Sequence, residues 1–153
     1  MNIPLEWRVL SKKLIESGLF KESRLTPSSL HNIAERGRAF TLIKQHGLSK
    51  TIVAFGALWD SKNPEWLEIG TIWIDPSFKG RGISLEIFSS LSNLVGDKSV
   101  FLITKNQKIA DIAKVAEWST SKKISDSPCF KANAIEHDRP IGDGRVIYYQ
   151  QSI

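Results

Sequence analysis

The sequence predicts an α/β (α+β) fold in one domain spanning residues 1–153. The expected sheet is mixed and mostly antiparallel, with helices on both faces and one parallel β-α-β crossover. Three observations predict it. The 153 residues match the length of one ordinary globular domain. The middle of the chain reads as three β-rich runs separated by turn residues, an antiparallel meander. After the third run a glycine-rich stretch opens a helix, and a short, wholly apolar run follows. That is the order of a right-handed crossover returning parallel to the strand before it.

Helical spacing opens the chain, with Ile3, Trp7, Leu10 and Leu14 on one face and Gly18 as the stop. Thr26-Pro27 is an N-cap followed by proline at the first helical position, and the short helix it starts carries Leu30, Ile33 and Ala34 as far as Gly37. The three strands run from Ala39 to Gln45, Thr51 to Asp60 and Trp66 to Ile74, with turns at His46-Gly47-Leu48-Ser49 and Ser61-Lys62-Asn63-Pro64. Past Asp75-Pro76 and the glycine-rich stretch, a helix is predicted with Leu85, Phe88, Leu91 and Val95 inward, ending at Gly96-Asp97. Ser99 to Thr104 lacks alternation, as expected of a strand covered on both faces. A helix from about Lys108 to Lys122 should turn Ile109, Ile112, Ala113, Ala116 and Trp118 inward. Cys129 to Ile135 and Arg145 to Gln151, around Gly142-Asp143-Gly144, should form a closing strand pair.

Composition narrows the class. Apolar residues at 41% and charged residues at 24% match a folded domain and argue against disorder. The longest apolar stretch, Ile52 to Trp59, is too short for a membrane-spanning helix. The amino terminus lacks the basic-then-apolar layout of a secretory signal, so a cytoplasmic location is expected. Cys129 is the sole cysteine, which excludes an internal disulfide and a four-cysteine zinc site. His31, His46 and His137 show no ligand spacing, so no metal is expected. The formal charge of +5 favours an anionic partner. A nucleic-acid reader is not expected, because basic and aromatic residues do not interleave in clusters.

The stretch Lys79-Gly80-Arg81-Gly82-Ile83-Ser84 at the mouth of a helix suits an anion. The first amides of a helix lack internal partners, and the peptide dipoles make that end partly positive. Glycines let an anion approach the backbone, and Lys79 or Arg81 would add charge. Glycines also serve plain strand-to-helix turns. The stretch is neither the three-glycine dinucleotide fingerprint nor a nucleotide-triphosphate loop.

Taken from Ile72 to Ser84, the residues resemble the signature of the acetyl-coenzyme A-dependent N-acetyltransferases known as the GNAT superfamily. That signature is an apolar strand ending in Val-x-Pro, an aromatic residue, then Arg/Gln-x-x-Gly-x-Gly/Ala opening a helix. Ile72-Trp73-Ile74-Asp75-Pro76, Phe78 and Gly82 follow it; Lys79 and Ser84 depart from it. The similarity covers about Trp66 to Val95, and the strand from Val100 to Asn106 extends it.

The resemblance implies a GNAT-like domain whose loop amides, Gly80 to Ser84, hold the pyrophosphate of coenzyme A. It implies that the pantetheine arm pairs with the backbone edge of Ile72, Trp73 and Ile74, and that Asn106 lies beside that arm. Acetyl-CoA would be the co-substrate and a primary amine, on a small molecule or a protein, the acceptor. A backbone N–H of Trp73 or Ile74 would polarise the thioester carbonyl. No nucleophile is evident, so transfer would be direct.

Glu68 is the candidate base, as the only ionisable side chain between Trp66 and Ile74. Burial there would favour proton uptake; facing solvent or pairing with a lysine is the structural alternative. The tyrosine that the resemblance would supply as a general acid falls at Ala113, seven residues after Asn106. Tyr148 and Tyr149 should point to opposite faces of the last strand. That gap keeps an alternative open: a non-catalytic acyl-CoA-binding sensor or scaffold. Trp59 and Trp66, flanking the Asn63-Pro64 turn, are candidates to line the acceptor cleft.

Overall fold

A computed structural model describes residues 2–136 and 144–152. His137, Gly142 and Asp143 therefore lie outside the described residues. Six strands form one sheet. In chain order they are β1 (Ala39–His46), β2 (Ser49–Asp60), β3 (Trp66–Ile74), β4 (Ser99–Thr104), β5 (Ser119–Ser121) and β6 (Val146–Gln150). Across the sheet the order is β1-β2-β3-β4-β6-β5. The meander β1-β2-β3 is antiparallel, β3 and β4 are parallel, and β6 runs antiparallel to both β4 and β5. The predicted mixed sheet with one parallel pair is the observed one.

The first helix, α1 (Leu5–Ser17), buries Trp7, Leu10 and Leu14 and stops at Gly18. The second, α2 (Pro27–Glu35), starts where predicted: the Thr26 side chain accepts a hydrogen bond from the Ser29 amide at 3.2 Å. Both helices cover one face of the meander, packing on Ile52, Phe55, Ala57 and Trp59. The other face carries α3 (Ile83–Ser92) and α4 (Gln107–Val115), whose buried residues meet Ala54, Leu58, Leu67, Ile69, Val100 and Leu102. Alternation along β2 serves both cores, which is why Ile52 to Trp59 is buried without a break. Gly56 permits the closest approach: a Cβ there would lie 2.4 Å from Cγ2 of Ile87 in α3.

The structure corrects four expectations. The inward face of α3 is Ile83, Ser84, Ile87, Phe88 and Leu91, whereas Leu85 is 56% exposed. At about 100° per residue, Leu85 lies well outside the arc centred on Ile87 and Leu91. The helix also ends at Ser92 rather than at Gly96. Next, α4 stops at Val115, leaving Ala116 exposed. Glu117 reverses the chain at φ +63°, and Trp118 then packs on Phe88 with ring centroids 4.9 Å apart. The three-residue β5 that follows is polar and too short to carry a pattern.

Lastly, Cys129 to Ile135 is not a strand. Ser127 caps the Phe130 amide at 3.3 Å, and Pro128 begins a short helix, α5 (Pro128–Lys131). The Ser-Pro start signal outweighs the β propensity of the residues after it. With Phe101 and Ile147, this segment forms a third apolar cluster around Trp66 and Cys129. Among the described residues, no helix is long and apolar enough to cross a membrane.

Candidate active site

Strands β3 and β4 pair only at Trp66 with Ser99, Leu67 with Val100 and Glu68 with Phe101. Beyond that point they diverge. The cause lies in β3: between the pairs Ala57–Gly70 and Phe55–Trp73, β3 holds one residue more than β2. Such a bulge bends its strand and increases the local twist. Thr71, within it, has φ +56°, which is costly for a β-branched residue. The indole N–H of Trp59 donates to the Thr71 hydroxyl at 3.0 Å, in a buried setting, and holds that conformation.

The divergence opens a cleft of about 300 Å³. Its walls are Ile69 to Ile72 of β3 and Leu102 to Asn106 at the end of β4, with Ile109 of α4. Gly18 to Lys21 and Arg24, from the α1–α2 connection, close one side, and Arg145 stands at the start of β6. Four of the described lining residues are cationic: Lys21, Arg24, Lys105 and Arg145.

Arg24 is held from two sides. Its Nη2 donates to Glu68 Oε1 at 2.9 Å, and its guanidinium lies 5.2 Å from the centre of the Trp59 ring. The arginine side chain is 13% exposed and the glutamate 2%. Lys21 pairs with Glu136.

The candidate residues named from the sequence separate into three places. Ile72 and Asn106 line the cleft. Trp73 and Ile74 pair with Phe55 and Ala54 of β2 and lie outside its lining. Lys79, Gly80, Arg81 and Gly82 are exposed and sit apart from it, at the start of α3. Gly80 and Gly82 have φ +81° and +75°, a region that disfavours any side chain. Gly82 is the N-cap of α3 and makes no side-chain cap bond, so the backbone of Ile83 and Ser84 opens the helix while both side chains are buried. Arg81 and Lys44 lie 4.6 and 5.4 Å from the centre of the Phe78 ring, adding a cation from β1 that no local pattern places there. Upstream, Asp75 accepts from the Ser77 hydroxyl and amide. Those two bonds, with Lys13 nearby, hold its carboxyl below the ordinary value.

Glu68 is buried beneath Arg24 rather than set in the cleft wall. Asn106 is the N-cap of α4: its Oδ1 accepts from the amides of Lys108 at 2.9 Å and Ile109 at 3.3 Å. Substituting Asn106 with Ala should therefore cost about 1 kcal/mol of stability, whereas Asp, which also caps, should cost far less. Equal losses in urea unfolding would show that the cap is not what matters at this position.

Tyr148 belongs to the α3–α4 core, and the Tyr149 hydroxyl is 3.2 Å from Ser121 Oγ, so neither reaches the cleft. Ala113 is fully buried. Trp59 and Trp66 do not line the cleft either; Trp59 supports the bulge from behind, and Trp66 packs on Phe101. Cys129 is fully buried, and burial pushes its thiol up, which keeps it protonated. Among the described residues no cluster of three metal-ligating side chains occurs.

No protein-family model matches this sequence, and no curated protein does. Solved structures do. The GNAT-superfamily phosphinothricin acetyltransferase of Sinorhizobium meliloti, in complex with acetyl-CoA, is 12% identical. Its TM-score is 0.61, over 96% of this chain and 83% of that one.

This chain has the GNAT fold.

Two further GNAT-fold matches agree. The diaminobutyrate acetyltransferase of Paenibacillus lautus, in complex with L-2,4-diaminobutyric acid and coenzyme A, is 14% identical, with a TM-score of 0.59 over 96% of this chain and 89% of that one. An Arabidopsis thaliana protein in complex with a bisubstrate analogue is 12% identical, with a TM-score of 0.58 over 97% and 93%. At such identities the agreement is one of fold. Within the GNAT fold of this chain, Arg24, Lys21, Lys105, Arg145 and the Trp59–Thr71 support went unread in the sequence. A buried arginine 44 residues from its carboxylate leaves no local pattern.

Proposed function

We propose that residues 1–153 form one N-acetyltransferase domain that moves an acetyl group from acetyl-CoA directly to a primary amine. The divergence of β3 from β4 carries this reading. Past Glu68 it leaves a strand edge along an apolar-walled cleft, suited to an extended acyl-pantetheine arm. The exposed glycines before α3 suit the pyrophosphate, with Lys79, Arg81 and Lys44 supplying positive charge. The structures of similar fold were solved with acetyl-CoA or coenzyme A, which supports the same cofactor here.

In the reaction, the amine nitrogen bonds to the carbonyl carbon as the carbon–sulfur bond breaks. The amine gives up a proton, and the departing thiolate takes one up. Backbone N–H groups near the bulge, at Trp73 or Ile74, are the proposed donors to the oxyanion. Direct transfer is supported by Cys129, whose buried, protonated thiol makes a poor acyl carrier.

Thermal unfolding with and without acetyl-CoA tests the reading. Cofactor at 100 times its Kd should add about 2.7 kcal/mol, a rise in Tm of roughly 5–10 °C for a chain of this size. No shift at millimolar cofactor would overturn it.

Glu68 has two roles open to it. As the base, it would receive the amine proton through water passing Arg24. The Arg24 pair favours the second role, in which Glu68 orients the guanidinium and the amine arrives deprotonated. Glu68→Gln distinguishes them: the first predicts a large fall in kcat with loss of the acidic limb of the pH profile. The second predicts a higher acceptor KM with that limb retained. Among the described residues the cleft lining offers no Asp, Glu, His or Tyr, which favours one rival, a non-catalytic acyl-CoA sensor. Cofactor binding without thiol release across a broad amine panel would establish that rival.

A further inference from the structure

We propose that Thr71 is a catalytic residue whose hydroxyl donates a hydrogen bond to the oxyanion formed on the thioester, and that Trp59 positions it. The inference rests on the acetyltransferase reading and adds a side-chain donor to the peptide N–H groups at Trp73 or Ile74. Those two residues lie outside the cleft lining, whereas Thr71 lies within it. The loop before α3 follows the Ile74 end of β3, so an acyl arm entering from there meets Thr71 as it reaches the bulge. Attack by the amine nitrogen moves the carbonyl π pair onto oxygen, and the pair returns as the carbon–sulfur bond breaks. Thr71 lends a hydrogen bond throughout and keeps its proton, so this role needs no titrating group.

The first ground is the hydrogen-bond capacity of the hydroxyl. A threonine hydroxyl has one hydrogen to give and two lone pairs, and an indole N–H can only donate. The 3.0 Å bond from Trp59 therefore fills a lone pair and leaves the Thr71 hydrogen uncommitted. Among the described residues no protein group accepts that hydrogen. It points away from the indole, which stands behind the bulge and outside the cleft lining. Thr71 is 6% exposed, so little water competes for a bond made there. Donation from the indole also polarises the hydroxyl and strengthens its own donation.

The second ground is the backbone. Among the described residues three non-glycines have positive φ: Thr71, Glu117 and Asn133. Glu117 and Asn133 follow the ends of α4 and α5, where a left-handed residue commonly terminates a helix. Thr71 stands inside β3, where its branched side chain makes +56° costlier than it would be for Gly or Asn. Neither of those would bring a hydroxyl to the bulge. Strain of this kind gathers where function needs a fixed group. A hydroxyl held by its own backbone and by an indole is preorganised, the condition under which an oxyanion donor lowers a barrier.

The test measures thiol release from acetyl-CoA across an amine panel in Thr71→Gly, Thr71→Ser and Trp59→Phe. Glycine takes a positive φ without strain, so Thr71→Gly keeps the bulge and removes the hydroxyl. It should lower kcat about 10²–10³-fold, the loss expected for one oxyanion donor, with the KM for acetyl-CoA unchanged. Thr71→Ser, which restores a hydroxyl, should retain most of the wild-type kcat. Trp59→Phe leaves the hydroxyl but frees its rotor, so its kcat should fall between those two, again at unchanged KM. A hydroxyl that only locks the bulge predicts full kcat in Thr71→Gly, and that result would overturn the proposal.

An arm without turnover keeps the two readings apart. Infrared difference spectra of bound acetyl-CoA, carbon-13 labelled at the thioester carbonyl, report hydrogen bonding to that oxygen directly. The carbonyl band should move to lower wavenumber on binding, and Thr71→Gly should lose part of that shift. Such a loss, in a protein that releases no thiol with any amine, would sink the acetyltransferase and retain the donor. Thiol release by the wild type, with the same band and the same kcat in Thr71→Gly, would do the reverse.

Discussion

Replacing Arg24 with methionine is expected to lower folding stability by about 3–5 kcal/mol, the cost of removing one partner of a buried ion pair. The size follows from placement: Glu68 is 2% exposed, and Arg24 is ion-paired with it at 2.9 Å. For a chain of this length the loss corresponds to a fall in Tm of roughly 10 °C. The double variant Arg24→Met, Glu68→Met should recover most of the loss, because an apolar pair of similar volume removes the desolvation cost along with the attraction. Urea unfolding of both variants checks this. A loss below about 1 kcal/mol in the single variant would mean that water reaches the pair, as it does at surface ion pairs. The double variant should still respond to acetyl-CoA, since the proposed cofactor groups lie elsewhere.

Gly56→Ala is expected to cost about 1–3 kcal/mol, the cost of overpacking a filled core. The added Cβ would stand 2.4 Å from Cγ2 of Ile87, a methyl on a β-branched, fully buried side chain that cannot swing aside. Relief requires α3 to move off β2, and that displaces the Gly82–Ser84 end of the helix. Weaker acetyl-CoA binding should therefore accompany the loss of stability. Ile87→Leu, which moves the branch away from Cβ, should rescue part of both losses in a double-mutant cycle. Wild-type stability in Gly56→Ala would show that the helix tolerates the shift.

Most of the scaffold was legible because its signals are local. The Thr26-Pro27 start, the turns at Gly47 and Asn63-Pro64, and the unbroken apolar run of β4 each state their own structure within a few residues. Expectations failed where a local rule met a competing one. Leu85 fits the helical spacing chosen for α3, yet a larger apolar arc existed one residue away, and packing takes the larger arc. Pro128 after Ser127 starts a turn of helix in a stretch whose later residues read as a strand.

The candidate site divides in the same way. Its glycine-rich turn and the apolar strands beside it were written in the order of the residues, because backbone geometry and periodicity depend on near neighbours. Which side chains line and support the cleft was decided by the tertiary structure. One extra residue in β3, locked by an indole from β2, drives two strands apart, and a loop before α2 brings Arg24 over a glutamate 44 residues away. Charges and cavities form from groups distant in the chain, and no spacing rule records which of them will meet.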